Sequence, residues 1–379
     1  MRMHLMRFWL RPRSGREAGG LIGATGCMRA RGKRWRLPLR SAARVTRHLV
    51  LPRGPTSLTN NLASGDQAES VAKLGAIEAR QVTIDGQLLQ VAVRHGGGSG
   101  PPLLLFNGIG ANWEVAKPFL EALTTTTAII FDVPGVGDSP RPLLPYRPST
   151  LARLAAGLVA ELGYAEIDVV GVSWGGGIAQ QFAHQYPKLC RRLVLAATAP
   201  GFTMVPASPA VLWKMATPRR YTDKDYMNRI AADIYGGAFR TDPSLIGRHA
   251  AAMHGARNLG YLYQLLAMSG WTSLPWLWSL PQQTLVLMGG DDPLVPPING
   301  HILAGLIPNA DLRMIDDGHL FIVTRPVETA ALIEAFLADA SRQVEPSSPL
   351  SRMTNWIRDI ISTFGGHRDV QAQREGRKS

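Results

Sequence analysis

The segment Gly171-Val-Ser-Trp-Gly places a serine between two glycines, after the apolar run Ile167–Val172 and before helical periodicity over 175–186. A serine at a sharp strand-to-helix turn exposes its Oγ, and small residues two positions away on either side let strand and helix approach closely. The N-terminus of the helix also favours negative charge that develops beside it. The pattern therefore predicts Ser173 as a nucleophile. The alternative is a chance match in a glycine-rich loop, which the partner residues below argue against.

A serine hydroxyl is a weak nucleophile near neutral pH and needs a neighbouring base. His319 ends the segment Asp316-Asp-Gly-His, between the last predicted strand and the last predicted helix. The other histidines lie in the tails, on the helix after the serine, or outside a strand-end loop in the right order. We expect them to be surface or structural residues, so His319 is the predicted general base.

A carboxylate that hydrogen-bonds the base would hold its tautomer and stabilise the imidazolium. The loop Gly289–Pro296 follows another apolar run and contains two carboxylates, Asp291 and Asp292. Both follow the serine and precede the histidine, the chain order Ser, Asp, His that such a site requires on an α/β sheet. Spacing alone does not decide between them.

Acyl transfer also needs preorganised N–H donors for the oxyanion. One is expected from the residue after the nucleophile, Trp174, and the second from the loop after an early strand. The segment Phe106-Asn-Gly-Ile-Gly lies in that place, and the N–H of Ile109 is the candidate donor. An ordinary glycine-rich turn is the alternative. This chemistry calls for no metal and no organic cofactor.

The elements that must position these residues alternate between strand and helix over 80–199 and again over 281–340. The alternation predicts a mostly parallel sheet with helices on both faces. Residues 200–280 interrupt it with helical segments and four of the nine tryptophans. We expect this insertion to cap the carboxyl ends of the strands, where open α/β sheets bind ligands. The predicted organisation is a basic, disordered extension (1–77), an α/β core in two parts (78–199 and 281–340), a helical cap (200–280) and a C-terminal tail (341–379).

The net charge of +13 is concentrated in the N-terminal tail. Residues 1–53 hold 14 of the 41 basic residues and one of the 28 acidic residues, Glu17, so the rest of the chain has 27 of each. A neutral folded region argues against a nucleic-acid partner.

The tail lacks the apolar segment and cleavage site of a secretory signal, and no apolar run reaches the roughly 18 residues of a spanning helix. Two cysteines without disulfide or zinc spacing fit a cytoplasmic protein.

Apolar residues recur at steps of three and four within 351–366, which predicts an amphipathic helix in the tail. Such a helix could associate peripherally with a hydrophobic surface. It could equally dock on its own domain, and the periodicity supports both interpretations.

Ten motifs extend from the core into the cap and span residues 80–338: F-N-G-I-G-A-N, F-D-V-P-G-V-G, G-V-S-W-G-G, A-Q-Q-F-A-H, L-V-L-A-A-T-A, P-R-R-Y, I-Y-G-G, G-W-T-S, D-D-P-L-V-P and I-D-D-G-H-L-F. In these the chain resembles the intracellular medium-chain-length poly(3-hydroxyalkanoate) depolymerases, which have the α/β-hydrolase fold. The resemblance implies hydrolysis of ester bonds in a stored polyester, with release of 3-hydroxy acids or oligomers, in the cytoplasm or at the granule surface. It also implies Ser173 as nucleophile, His319 as base and Asp292, which precedes a proline, as the acid. The related polyester synthases carry cysteine as nucleophile, so the serine favours hydrolysis.

Three alternatives stay open. A general carboxylesterase or lipase would use the same residues on small esters, and the cap motifs argue against it. A non-catalytic granule-binding protein would carry a vestigial site, and the intact order of site residues argues against that. A 3-hydroxyacyl transferase is not excluded, because water and an alcohol compete for the same acyl-enzyme.

Overall fold

The computed structural model describes residues 74–217, 223–242, 244–252 and 258–339. The predictions for the extension up to residue 73, for the motif at 218–221 and for the amphipathic helix at 351–366 fall outside these ranges. Within the described ranges, no helix is long and apolar enough to cross a membrane.

An eight-stranded sheet organises the described chain. Its strands are β1 (Ile77–Ile84), β2 (Gln87–Arg94), β3 (Leu103–Phe106), β4 (Ala128–Phe131), β5 (Ile167–Val172), β6 (Cys190–Ala196), β7 (Gln283–Gly289) and β8 (Ala310–Ile315). β1 and β2 form an antiparallel hairpin whose turn residues, Asp85 and Gly86, both have positive φ. β2 pairs antiparallel with β4, and the other pairs are parallel, in the order β1-β2-β4-β3-β5-β6-β7-β8. The predicted mostly parallel α/β sheet is confirmed.

Helices cover both faces of this sheet. They are α1 (Lys117–Ala122), α2 (Pro148–Glu161), α3 (Trp174–Gln185), α4 (Pro209–Ala216), α5 (Lys224–Tyr235), α6 (Ser244–Ala252), α7 (Asn258–Met268), α8 (Ile298–Leu306), α9 (Phe321–Thr324) and α10 (Pro326–Ala338). β3, β4 and β5 are buried along their whole length, as expected for parallel strands covered on both sides. One apolar core contains Phe182 of α3 and Leu303 of α8, and the opposite core contains Phe119 of α1 and Ile333 of α10.

Helices α4 to α7 lie between β6 and β7, where the sequence predicts a helical insertion. The sequence does not predict α8, between β7 and β8. Two glycines and Asn299 lie within this short helix, and such weak helix formers obscure its periodicity. A 3₁₀ turn, Trp113–Ala116, directly precedes α1.

Glu334 of α10 fastens the loop before β4 to the rest of the core. Its carboxylate accepts hydrogen bonds from the main-chain N–H groups of Thr124, Thr125 and Thr126 and from the Thr124 hydroxyl. Burial alone would raise the pKa of Glu334, but these hydrogen bonds together outweigh it and lower the pKa to about 2. The ionised form therefore holds this loop on the α10 side of the sheet.

Candidate active site

Ser173 lies at the turn between β5 and α3, with φ 53° and ψ −119°. This conformation is strained for a residue with a side chain, and it is the one that a nucleophile at a strand–helix turn adopts. The flanking glycines make the turn sterically feasible. A Cβ on Gly171 would lie 2.5 Å from Ala179 Cβ, and a Cβ on Gly175 would lie 2.2 Å from the Phe106 carbonyl oxygen. The two glycines of the motif are therefore required for strand and helix to meet.

His319 lies between Ser173 and Asp292. Its Nε2 is 2.9 Å from Ser173 Oγ, and its Nδ1 is 2.8 Å from Asp292 Oδ2. The other carboxylate oxygen of Asp292 accepts N–H groups from Leu294 and Val295, each at 2.9 Å. The side chains of His319 and Asp292 are 3% and 0% exposed. Ser173 follows β5, Asp292 follows β7 and His319 follows β8. The parallel sheet brings the carboxyl ends of these three strands to one edge.

Asp291 precedes Asp292 in the chain but has different partners. Its carboxylate is half exposed and pairs with Arg240 of the insertion, Nε to Oδ2 at 2.7 Å. The hydrogen bond from Arg240 is the main reason that the pKa of Asp291 is lowered. Of the two carboxylates that spacing leaves undecided, the structure brings Asp292 to the histidine.

The loop after β3 lies against the serine. A Cβ on Gly108 would be 3.8 Å from Ser173 Cβ, so the segment that contains Ile109 borders the nucleophile. Asn107 holds this loop, because its Oδ1 accepts the Gly108 N–H and its Nδ2 donates to the Asn112 carbonyl, both at 2.9 Å. The Ile109 N–H makes no hydrogen bond to another described residue.

Gln264 of α7 contacts both segments expected to supply oxyanion donors, although no sequence pattern singles it out. Its side-chain Oε1 accepts the Gly110 N–H at 2.8 Å. Its main-chain carbonyl accepts the indole Nε1–H of Trp174, the residue that begins α3 directly after Ser173, at 3.0 Å. The insertion is thus hydrogen-bonded to both sides of the serine.

The insertion also contacts the loops that carry the acid and the base. The main-chain N–H of His319 donates to the carbonyl of Tyr235 at 2.7 Å. The N–H of Gly237 donates to Asp291 Oδ2, also at 2.7 Å. Residues at the end of α5 therefore hold both loops by their backbone.

Two glycines of the I-Y-G-G motif allow this contact. A Cβ on Gly236 would lie 1.9 Å from the Asp291 carbonyl oxygen, and a Cβ on Gly237 would lie 2.0 Å from Asp317 Oδ1. Both glycines also have positive φ, 65° and 49°. Side chains at these positions would force the insertion away from the loops. The two glycines of this motif are therefore needed for close packing, which the sequence alone does not reveal.

Tyr235 and His249 lie beside the histidine. The Tyr235 ring is nearly parallel to the His319 ring, with centroids 6.5 Å apart, and His249 of α6 packs its ring edge-on against Tyr235. The pKa of His249 is lowered to about 4, mainly by burial and to a smaller extent by the charge of His319. Its imidazole is therefore neutral at pH 7, and its Nδ1 has no hydrogen-bond partner within the described ranges.

Asp132 directly follows β4 and is buried. Its carboxylate accepts hydrogen bonds from main-chain N–H groups and not from Ser173 or His319. Its Oδ1 accepts the Trp113 N–H at 2.7 Å, and its Oδ2 accepts the Asp138 N–H at 3.3 Å. Burial raises the pKa of Asp132 to about 7, against the smaller lowering effect of these two hydrogen bonds. The carboxyl group braces the turn that follows the Ile109 loop.

The arrangement provides the groups that acyl transfer needs: a hydroxyl in contact with an imidazole, a carboxylate on the far side of the ring, and main-chain N–H groups nearby. In the portion of the chain that the structure describes, no three His, Cys, Asp or Glu side chains form a group that could hold a metal ion.

The fold agrees with that of known proteins. The family model described as alpha/beta hydrolase fold matches residues 101–326, so the chain is an α/β hydrolase. It is also 53% identical over 259 residues to the poly(3-hydroxyalkanoate) depolymerase of Ectopseudomonas oleovorans, across 68% of this chain and 92% of that protein. The chain belongs to this depolymerase family, and the resemblance predicted from its motifs is confirmed.

More distant relatives share the fold. A 2-hydroxymuconate semialdehyde hydrolase from Pseudomonas sp. (strain CF600) is 29% identical over 261 residues, which cover 65% of this chain and 90% of that protein. The crystal structure of the enol-lactonase from Burkholderia xenovorans LB400 superimposes with a TM-score of 0.59 at 21% identity, over 69% of this chain and all of the lactonase. At that identity the likeness concerns the fold alone.

Proposed function

We propose that this hydrolase cleaves the ester bonds of stored poly(3-hydroxyalkanoate) and releases 3-hydroxy acids or oligomers, with Ser173 as nucleophile, His319 as general base and Asp292 as the acid that orients it. The observation that carries the proposal is the contact of one imidazole with both Ser173 Oγ (2.9 Å) and Asp292 Oδ2 (2.8 Å). The substrate class rests on the 53% identity to the poly(3-hydroxyalkanoate) depolymerase of Ectopseudomonas oleovorans.

In the proposed reaction, His319 Nε2 accepts the Ser173 proton as Oγ attacks the ester carbonyl, and Asp292 stabilises the imidazolium that forms. The intermediate collapses when His319 gives this proton to the leaving oxygen, the 3-hydroxyl of the neighbouring repeat unit. An acyl-enzyme remains on Ser173. A water molecule then gives a proton to His319 and attacks the acyl carbon, and Ser173 regains its proton as the acid leaves.

The N–H groups of Ile109 and Trp174 are the proposed oxyanion donors. The proximity of Gly108 to Ser173 supports the first, and the position of Trp174 at the start of α3 supports the second. Donors held by the backbone need no reorganisation as charge develops on the carbonyl oxygen, which is why such groups are effective.

Product analysis tests the proposal. Purified protein would be incubated with medium-chain polyester granules, with a short-chain triglyceride and with a p-nitrophenyl ester. We expect 3-hydroxy acids or oligomers from the granules, and a loss of about 10³-fold or more in Ser173→Ala with its fold intact by circular dichroism. Activity on the soluble esters alone would favour a general esterase, and preferential transfer to an added alcohol would favour an acyltransferase. Retained activity in Ser173→Ala would refute the nucleophile assignment.

Association with the granule surface, and so a cytoplasmic place of action, is a second part of the proposal. The sequence periodicity of residues 351–366 is its basis. Deletion of residues 347–379 should reduce co-sedimentation with granules while activity on a soluble ester is kept. Unchanged co-sedimentation would exclude this segment as the anchor.

A further inference from the structure

Gln264 is the residue of α7 that hydrogen-bonds to both sides of Ser173. We propose that it is a positioning residue for the oxyanion hole and that, through it, the helical insertion determines how well that hole is formed. The inference rests on the proposed function, because the hole matters only if Ser173 forms an acyl-enzyme.

The contacts of Gln264 involve its side chain and its backbone at once. The amide Oε1 accepts the Gly110 N–H at 2.8 Å, and the main-chain carbonyl accepts Trp174 Nε1–H at 3.0 Å. Gly110 directly follows Ile109, the first proposed donor, and Trp174 is the second. Gln264 therefore holds the residue next to Ile109 and the side chain of Trp174. Gln264 itself is 1% exposed, which keeps water from competing for these hydrogen bonds.

The loop that Gln264 holds is intrinsically easy to deform. Ile109 lies between two glycines, and Gly110 has a φ of 73°, a conformation that glycine adopts readily but does not enforce. An oxyanion donor is effective only when its N–H is already directed at the site where charge develops. A buried acceptor for the next N–H along the chain fixes the peptide plane beside Ile109, which restricts the orientation of the Ile109 N–H.

The second half of the same amide adds a further observation. Gln264 Nε2 is buried and has no hydrogen-bond partner among the residues that the structure describes. The Gly110 N–H requires an acceptor, so the oxygen must face the loop and the NH₂ must be the unsatisfied group. Buried donors are normally paired. This one belongs to the amide that contacts the oxyanion loop.

A second glutamine provides a matched control. Gln181 of α3 accepts the Nε1–H of Trp271 at 2.9 Å, so it also joins the inserted region to the helix that follows Ser173. It makes this contact two turns away from Trp174, and its side-chain hydrogen bonds go to Trp271 and Gln185 rather than to the Ile109 loop. Substitution of either glutamine by methionine removes one side-chain hydrogen bond between the inserted region and the core, with little change in volume. In Gln181 it also removes the hydrogen bond from Nε2 to Gln185 Oε1 at 3.2 Å.

The test is steady-state kinetics with a p-nitrophenyl ester on wild type, Gln264→Met and Gln181→Met. We expect Gln264→Met to lower kcat by about 10- to 100-fold, with KM changed less than about threefold, because the loss is in the transition state. Phenylboronic acid, whose tetrahedral adduct with Ser173 places an oxygen in the same hole, should bind more weakly by a similar factor. Gln181→Met should keep kcat within about twofold.

Gln264→Glu gives a second readout that a purely structural role would not produce. Its carboxyl still accepts the Gly110 N–H, so this variant should fold even if Gln264→Met does not. Ionisation of the new carboxyl places a negative charge beside the oxyanion, so the ratio of its kcat to that of wild type should fall as pH rises.

Three results would overturn the proposal: unchanged kcat and boronate affinity in Gln264→Met, an equal loss in Gln181→Met, or a pH-independent ratio for Gln264→Glu. An inactive wild type, or an active Ser173→Ala, would instead overturn the proposed function itself. The two kinds of failure are therefore distinguishable in one set of measurements.

Discussion

Asp291 and Asp292 are consecutive residues whose carboxylates serve different parts of the molecule. Asp292 is buried 2.8 Å from His319 Nδ1, whereas Asp291 is half exposed and pairs with Arg240 at 2.7 Å. The candidate acid Asp292 is thus next in the chain to a residue that forms an ion pair with the insertion. The pair of residues offers an internal comparison for the acid assignment.

Asp292→Asn should lower kcat by about 10³- to 10⁴-fold, because an amide can favour the wrong tautomer of His319 and cannot stabilise its charged form. Asp291→Asn is the matched control and should change kcat by less than about threefold, since an exposed ion pair contributes little. The measurement is kcat on a soluble ester for both variants. Equal losses would show that the loop as a whole, rather than the Asp292 carboxylate, is what matters.

Gly237→Ala should weaken both the fold and the site. The new Cβ would lie 2.0 Å from Asp317 Oδ1 and from the Gly318 N–H nitrogen, at a φ of 49° that alanine tolerates poorly. We expect a loss of about 2–4 kcal/mol in unfolding free energy, and at least about tenfold in kcat because Gly318 adjoins His319.

Gly247→Ala, in α6 of the same insertion, is the control for this steric argument. A Cβ there meets nothing within 4 Å, and helix propensity should stabilise the protein by about 0.5–1 kcal/mol. Thermal unfolding and kcat are measured for both variants. Similar behaviour of the two would contradict the idea that Gly237 is needed for close contact.

Glu334→Gln should destabilise the protein by about 1–2 kcal/mol at pH 7, a value reduced for the partial exposure of this group. The pKa of Glu334 is about 2 in the folded chain and near 4.5 in the unfolded chain, so its contribution is complete above pH 4.5 and is lost as pH falls through about 2. The difference in unfolding free energy from wild type should therefore shrink across this window. Glu121→Gln, at an exposed 3.6 Å ion pair with Lys117, should show less than about 0.5 kcal/mol at any pH.

Asp132→Asn should flatten the pH dependence of stability between about pH 4 and 7. The folded chain holds a proton on Asp132 up to its raised pKa of about 7, whereas the unfolded chain releases it near pH 3.8. Wild type therefore loses up to about 4 kcal/mol from this residue as pH rises through the window, and stability is greater on the acid side. Urea unfolding of both proteins at several pH values measures this. Parallel curves would mean that the Asp132 carboxyl ionises normally.

Much of the site could be predicted from the chain because each part has a local signal. Ser173 lies in a motif with its own strand and helix, and His319 and the Asp291–Asp292 pair each follow an apolar run. Parallel strands end at the same edge of a sheet, so residues at these strand ends can meet although 146 positions separate Ser173 from His319. The alternation of strand and helix likewise predicts the fold class. The short helix α8 is not predicted because its glycines obscure the helical periodicity of its apolar residues.

Local patterns in the chain are enough to predict the fold class, the order of the candidate site residues and the position of the helical insertion, since periodicity and glycine placement are properties of neighbouring residues. Spacing left Asp291 and Asp292 equivalent, and the tertiary structure brought Asp292 to the histidine. It also revealed Gln264, which meets Gly110 across 154 positions, and the contact of Gly236 and Gly237 with the loops that carry Asp291 and Asp317. Such contacts depend on how the insertion packs over the sheet, and no local pattern in the chain encodes that packing.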